Sequence, residues 1–342
     1  MIINLLDTNR EKIEVLDTFE SILWTKKYQD VGGCVIILTP TDELVEMLKT
    51  EAKYVSRDDD DMVCEIKKIA INTDYLSGKV TLTLTCLGVE QLLKQRIVWN
   101  RLSYSTQAEV FIRRLVLDNC IDTTEDRKID FIKLGTLQQF PEKIKKQVSY
   151  DEVLDAIIKI CKTYDLGFRF VMWNNEFYFQ VYRGLDCSQS QSVNSYVTFN
   201  KDFNNLHSFD YEIDFSAFKN VALVGGEGEG LARKTKAVGT ATGINRYEMF
   251  VDAKNLSSDE VEATDYEDML AEAGNEKLSE QTIKETFACK IDVEQYEYKV
   301  DYDLGYKVTV IADYGIQVDA KIVEVIECED INGYRVTANL EL

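Results

Sequence analysis

Two stretches of this sequence alternate with a period of two, and a chain built on such segments must form sheets. In Val80-Thr-Leu-Thr-Leu-Thr-Cys86 the apolar residues fall on one face and the threonines on the other. In Phe209-Asp-Tyr-Glu-Ile-Asp-Phe215 the four apolar residues Phe209, Tyr211, Ile213 and Phe215 are expected to face inward, and Asp210, Glu212 and Asp214 outward. Successive side chains of a strand point to opposite faces, so each stretch reads as a half-buried strand. Apolar residues make up 45% of the 342, enough for real cores in two or three domains.

Other segments extend this pattern. Ile13–Leu16, Ser21–Lys27 and Cys34–Leu38 read as strands, and Pro40 closes the last of them. Thr41 caps a helix to Thr50 with Leu44, Val45 and Leu48 on one stripe. Met62–Asn72 pairs with Lys79–Leu87, and a short helix follows at Val89–Lys94. Ser105 is placed to cap a helix reaching about Asn119. Ser149-Tyr-Asp-Glu152 has the form of a capping box before a helix whose inner face is Val153, Leu154, Ile157, Ile158 and Cys161. Phe168–Val171 and Glu176–Tyr182 form a hairpin around Trp173-Asn-Asn. Val221–Val224 and Thr235–Thr242 form another strand pair. Residues 257–288 read as an acidic helical stretch. Strands near Ile291–Asp301, Lys307–Ala312, Ile316–Ile326 and Tyr334–Leu340 end the sequence, with a bulge expected between Val293 and Tyr296.

Sixty acidic against 39 basic side chains give a formal charge of -21. Such a surface repels nucleic-acid phosphates and anionic membranes, which argues against a conventional DNA or RNA binder. Eight cysteines, at 34, 64, 86, 120, 161, 187, 289 and 328, form no C-x-x-C pair and read as reduced core residues. No stretch reaches 18 apolar residues and the start lacks a signal-peptide pattern, so folding in a cytoplasm is expected.

Candidate chemistry is thin. Gly225-Gly-Glu-Gly-Glu-Gly230 follows an apolar strand, where phosphate-binding loops sit. Gly225 and Gly230 have the P-loop spacing, but Leu231 and Ala232 stand where Lys and Ser or Thr are needed. Glu227 and Glu229 would repel phosphates, and a strand-like run follows instead of a helix. The loop therefore reads as a glycine-rich hairpin turn. Asp58-Asp-Asp-Asp61 lacks the spacing and the glycine of a calcium loop and reads as a solvated turn. His207 is the one histidine, with no hydrolase motif around it and no cysteine pair to share a zinc. Asp301 with Asp303, like the Asp210, Glu212 and Asp214 ladder, reads as the wet face of a strand rather than a glycosidase pair. No catalytic, cofactor or metal residue is expected.

Several motifs together resemble siphophage baseplate-hub proteins, the structural part of tail-associated lysins. They are Ser21-Ile-Leu-Trp24, Gly33-Cys-Val-Ile-Ile37, Leu92-Leu-Lys-Gln-Arg96, Asn220-Val-Ala-Leu-Val224 with its glycines and Arg233, Gly243-Ile-Asn-Arg-Tyr-Glu248, Val251-Asp-Ala253 and Asp303-Leu-Gly-Tyr-Lys-Val-Thr-Val310. Tyr306 departs from the acid usual in the last motif.

The resemblance implies an α+β, mainly β fold: two tube-like β-barrel domains with α/β insertions, similar to the hubs of contractile tails. Laid on the segments above, the barrels are 1–98 and 196–253 with 289–342, the α/β insertion is 99–195, and the acidic helical insertion is 254–288. It further implies a homotrimeric ring that continues the tail tube. A distal tail protein or the tube itself would lie above, and a fibre, receptor-binding or lysin protein below. DNA would pass without specific binding, and this chain would not insert in a membrane. The expected place is the tail tip of a virion assembled in the host cytoplasm. Because the sequence ends at Leu342 after the last strands, any cell-wall hydrolase is expected on another chain. Asp210, Glu212 and Asp214 are candidate channel-lining residues. Glu227, Glu229 and Arg233 are candidates for a subunit interface. A cell-surface carbohydrate binder using Trp99 and Trp173 is the main alternative, and a tail-associated hydrolase the lesser one.

Overall fold

The computed structural model describes residues 1–203, 205–259, 262–291 and 296–342, apart from the side chains of 207 and 287–291. The expected bulge at 293–296 lies largely outside these residues, as do the side chains of His207 and Cys289. The N-terminal part runs β1 (Ile3–Leu6), β2 (Lys12–Leu16), β3 (Ser21–Lys27), β4 (Gly33–Leu38), α1 (Asp42–Thr50), β5 (Tyr54–Arg57), β6 (Cys64–Asp74) and β7 (Lys79–Gly88). Thr41 caps α1 as expected, its hydroxyl accepting from the Leu44 N–H. The alternation of Val80–Cys86 is met in β7, where Leu82, Leu84 and Cys86 are buried and the threonines between them half-buried.

The middle part runs β8 (Leu102–Gln107), α2 (Ala108–Val116), β9 (Ile132–Leu134), β10 (Lys143–Val148), α3 (Val153–Tyr164), β11 (Gly167–Trp173) and β12 (Glu176–Tyr182). Two helix starts differ from the sequence reading. Ser105 lies in β8, opposite Lys145 of β10, so α2 begins only after Gln107. Ser149 caps nothing, because Tyr150 takes a left-handed φ of 65° and α3 starts from Glu152 without a side-chain cap. The β11–β12 turn is as expected: Asn174 and Asn175 both have positive φ, which a type I′ hairpin requires.

The last part runs β13 (Thr198–Asn200), β14 (Leu206–Asp214), β15 (Val221–Gly225), β16 (Thr235–Val238), β17 (Glu248–Asp252), α4 (Ala263–Ser279), β18 (Lys284–Ile291), β19 (Lys307–Ile311), β20 (Gln317–Asp330) and β21 (Gly333–Glu341). The acidic helix is thus shorter than expected. Lys284-Glu-Thr-Phe-Ala-Cys-Lys-Ile reads with period two and pairs with β14 and β21. Residues 298–301 turn instead of continuing a strand, with Lys299 at φ 70°.

Thirteen strands make one sheet in the order β14-β18-β21-β20-β3-β4-β7-β6-β5-β1-β2, with β19 and β13 branching from β20. The path does not close on itself among the described residues, so the sheet has free edges at β14 and β2, and at β13 on the branch. Its two ends have separate cores. One gathers Ile22, Trp24, Ile36, Leu84 and their neighbours. The other gathers Phe199, Tyr302, Val310, Ile322 and Leu340. The middle part has its own core, built on Phe111, Ile157, Phe170 and Phe177. A small sheet, β16-β15-β17, is covered by α4 through Val224, Tyr266 and Leu270. The strands flanking the glycine loop therefore belong to this small sheet, not to the large one.

Tyr28, at the end of β3, is where three parts of the chain meet. It is fully buried, donates to the Asp165 carbonyl at 3.2 Å and packs edge-on against Tyr182. Only glycine fits beside it: a Cβ on Gly167 would lie 2.3 Å, and one on Gly305 2.4 Å, from its ring. Gly305 also has φ +81°, which disfavours any side chain. Gly305→Ala should lower stability by at least about 2 kcal/mol in urea unfolding; an unchanged midpoint would contradict this packing.

Candidate functional site

The loop between β5 and β6 carries the four aspartates read above as a solvated turn, and the structure corrects that reading. Asp58 accepts from Asn4 Nδ2 at 2.7 Å. Asp59 takes a two-pronged hydrogen bond from Arg57 at 2.9 and 2.6 Å. The Asp60 side chain has no exposed area and sits 3.2 Å from Lys26 Nζ and 2.6 Å from Lys299 Nζ. Asp61 meets Lys26 at 2.8 Å and Arg169 at 2.8 Å. Arg57 also reaches Glu327 of β20 at 3.1 Å and stacks over Trp24. Ammonium and guanidinium groups thus stand where a cation would be sought. Among the described residues no group of His, Cys, Asp or Glu is arranged to hold a metal.

The partners come from β3, β5, β11, β20 and the turn at Lys299, so this charged seam ties all three parts of the chain together. Burial alone would raise the Asp60 carboxyl, but the charges of Lys26 and Lys299 outweigh it and hold the group below the usual carboxylate range. Burial alone would likewise depress Lys26. Asp60 and Asp61 reverse that and raise it. Sequence reasoning missed Lys26, Lys299 and Glu327. Only the adjacent Arg57 gave a local signal.

Glu90 belongs to the same region. It is buried, accepts the Phe170 N–H at 3.0 Å, and its carboxyl is pushed up mainly by burial.

The glycine loop is also tied to the protein itself. The Gly226 N–H donates to the Lys234 carbonyl, and the Lys234 N–H to the Glu227 carbonyl, both at 2.8 Å. The Glu227 N–H donates to the Tyr266 hydroxyl at 2.9 Å. No amide among these is left to meet a phosphate. Arg233 folds back over Phe250, donates to the carbonyls of Gly225 and Gly226, and pairs with Asp252. A Cβ on Gly225 would meet that guanidinium at 2.6 Å, and one on Gly226 the Tyr266 hydroxyl at 2.3 Å. The Glu227 carboxylate accepts from the Ser258 N–H and hydroxyl. Glu229 is exposed.

On β14, Asp210 and Glu212 are exposed and Asp214 is half-buried, opposite Ala288, Thr286 and Lys284 of β18. The expected inward face holds for Phe209 and Tyr211, which pack on the core around Phe199. It fails at Ile213 and Phe215, which are 39% and 64% exposed. At that end β18 has run past its last partner in β21, so the β14–β18 ribbon extends beyond the core. Asp301 and Asp303 sit in a turn, not on a strand. Seven cysteines are free and buried, in keeping with the reduced-core reading. Among the described residues no helix is long and apolar enough to cross a membrane.

A sequence profile of Siphovirus ReqiPepy6 Gp37-like proteins matches residues 2–340. The chain belongs to that family. The match agrees with the siphophage resemblance carried by the motifs. The fold of this Gp37-like chain is shared with solved tail proteins. A 43 kDa tail protein of prophage MuSo2 from Shewanella oneidensis superposes with a TM-score of 0.62 at 11% identity, covering 99% of this chain and 98% of that one. A tail protein from Neisseria meningitidis MC58 gives 0.60 at 14%, covering 99% and 96%. Prophage tail protein gp18 from Listeria monocytogenes EGD-e gives 0.54 at 13%, covering 99% and 94%. No curated protein matches.

Two outcomes test the Gp37-like site as described. Asp60→Asn should cost about 3 kcal/mol, because it leaves Lys299 beside a buried neutral amide and Lys26 with Asp61 as its single carboxylate. The Asp60 carboxylate stabilises the fold above the ordinary carboxylate pKa of about 4, and that contribution is lost as pH falls through its lower folded value. The acid limb of the stability profile should flatten in the variant; an unaltered limb would refute the assignment. In the glycine loop, Gly226→Ala should lower the melting temperature. Saturating Mg-ATP should leave that of the native chain unmoved, whereas a bound nucleotide at a hundredfold excess over Kd would add about 2.7 kcal/mol.

Proposed function

We propose that this chain is a structural component of a phage or prophage tail tip, the hub ring that continues the tail tube and closes or guides the DNA channel. One observation carries the reading: a long sheet with two halves and, among the described residues, unpaired edges at β14, β2 and the branch strand β13, in a family and fold of phage tail proteins. Free strand edges invite pairing with another chain, and a ring of copies hides them. In this reading the tube-like domains, 1–98 and 196–253 with 289–342, are built on the two halves of the sheet, the second half being β13, β14 and β18–β21. Residues 99–195 and the helical 254–288 elaborate them, apart from the start of β18, and β15–β17 stand in their own small sheet. Three copies closing edge to edge would present six such units around a lumen. A distal tail protein or tube ring would stack above, and a fibre or lysin below. The reading assigns the chain no enzymatic step and places it in the virion.

In this ring Asp210, Glu212 and Asp214 line the channel. Their charge keeps DNA from adhering during ejection by simple repulsion. Glu227, Glu229 and Arg233 lie at or beside a subunit contact. Glu229 is the exposed member, and Arg233 supports the loop that presents it.

Light scattering should give a mass of three 39.3 kDa chains, and negative-stain images a ring about as wide as a tail tube. A monomer at every concentration tested sinks the ring. Replacing Asp210, Glu212 and Asp214 together by Lys should leave the fold intact and make the assembled ring retain DNA at low salt. Particles that still shed DNA would remove these residues from the lumen.

A further inference from the structure

One cleft stands apart in this acidic molecule. It lies between the segment after β7 and the turn after α2, has a volume of about 590 Å³, and is lined by Lys94, Arg96, Trp99, Thr123, Thr124 and Arg127, with Asp126 at its side. That volume falls within the range of about 300–1,000 Å³ usual for small-molecule sites. Neither the charged seam nor the proposed channel uses it.

The cleft is held open by its own framework. Arg96 Nε donates to the Arg127 carbonyl at 2.7 Å, and Arg127 Nη2 donates to the Ile97 carbonyl at 2.9 Å. The buried amide of Asn119 fixes both sides at once. Its Oδ1 accepts from the Trp99 N–H at 3.2 Å and from Arg127 Nη2 at 3.3 Å, while its Nδ2 donates to the Leu115 carbonyl. Arg127 stacks over the Trp99 ring at 5.2 Å, and that ring remains 60% exposed. Both guanidiniums are half-buried, and among the described residues neither forms a salt bridge. Lys94 is 3.6 Å from Glu152. The Asp126 carboxyl is held below the usual carboxylate range first by the Thr124 hydroxyl, and the charges of Arg127 and Arg96 add to this.

Neither guanidinium is in contact with a carboxylate among the described residues, Asp126 acting on both only at longer range, and two such groups fixed side by side stand out in a protein of net charge -21. Their planar forks match the oxygens of a phosphate, and an exposed indole offers an apolar face with a polar edge. We infer that this cleft binds a small phosphorylated sugar or polyol, with Arg96 and Arg127 on the phosphate and Trp99 against the carbon skeleton. The net acidity of the surface disfavours long polyanions there, so the ligand is a discrete group and not a nucleic acid. Asn119 is a positioning residue for both Trp99 and Arg127.

The test titrates the full chain with glucose 6-phosphate, inorganic phosphate and glucose, read by calorimetry and by Trp fluorescence. Glucose 6-phosphate should bind saturably, inorganic phosphate at least about tenfold more weakly, and glucose not at all. Trp99→Ala, at an exposed position, should bring glucose 6-phosphate to the level of inorganic phosphate. Arg127→Gln should abolish both, with circular dichroism confirming the fold. If that variant fails to fold, Arg96→Gln serves the same purpose. No saturation with either phosphate, or affinities unmoved by Trp99→Ala and the arginine variants, overturns the site. Equal binding of the two phosphates would overturn the sugar part of it.

Discussion

Everything in this architecture depends on the antiparallel pairing of β3 with β20. Seven residue pairs, from Ser21 opposite Asp330 to Lys27 opposite Glu324, join sequence positions some three hundred residues apart. Without that ladder the two halves would be separate sheets, each with an extra open edge. The charged seam sits beside it, with Lys26 on one strand and Glu327 on the other. Buried ion pairs contribute little net stability against apolar replacements, because desolvation offsets the attraction. What they supply here is register: a two-residue slip of β3 would take Lys26 away from Asp60 and leave a carboxylate buried beside a single base.

Local features were legible in the sequence where local physics decides them. The alternation of Val80–Cys86, the Thr41 cap and the Asn174-Asn175 turn each depend on neighbours a few residues away. The capping reading failed at Ser105 and Ser149, where strand pairing and a left-handed Tyr150 took the polar side chains out of reach of the helix ends. The Phe209–Phe215 pattern predicted a strand correctly and its burial only in part, because alternation does not show where a partner strand ends. The Asp58–Asp61 run was the least legible. Its partners at 4, 26, 169 and 299 are brought together only by the tertiary fold, and no window on the sequence contains them. The glycine loop was readable by what it lacked, and Arg233 explains why the glycines are there.

The molecule separates two kinds of acid. Those in the β5–β6 loop are neutralised by bases from across the chain and serve the fold. On β14, at an edge of the sheet, Asp210 and Glu212 stand exposed, and only Asp214 has a base opposite it, Lys284 of β18. Basic groups are divided in the same way. Lys26, Arg57 and Lys299 are absorbed by the seam, while Arg96 and Arg127 are held in place mainly by carbonyls, with Asp126 acting on them only at longer range.

The β3–β20 ladder also sets the order in which this protein can be made. A ribosome delivers the N-terminal strands early, and β4, β5, β6 and β7 can pair as soon as they emerge. The free side of β3 must then wait for almost the whole remaining chain before its partner exists. Contacts of such long sequence separation form slowly, and an unpaired edge is exposed to other chains in the meantime. Lys26 can meet Asp60 as soon as the β5–β6 loop emerges, so Lys27 is the charged residue that guards that edge during synthesis, before Glu324 has claimed it.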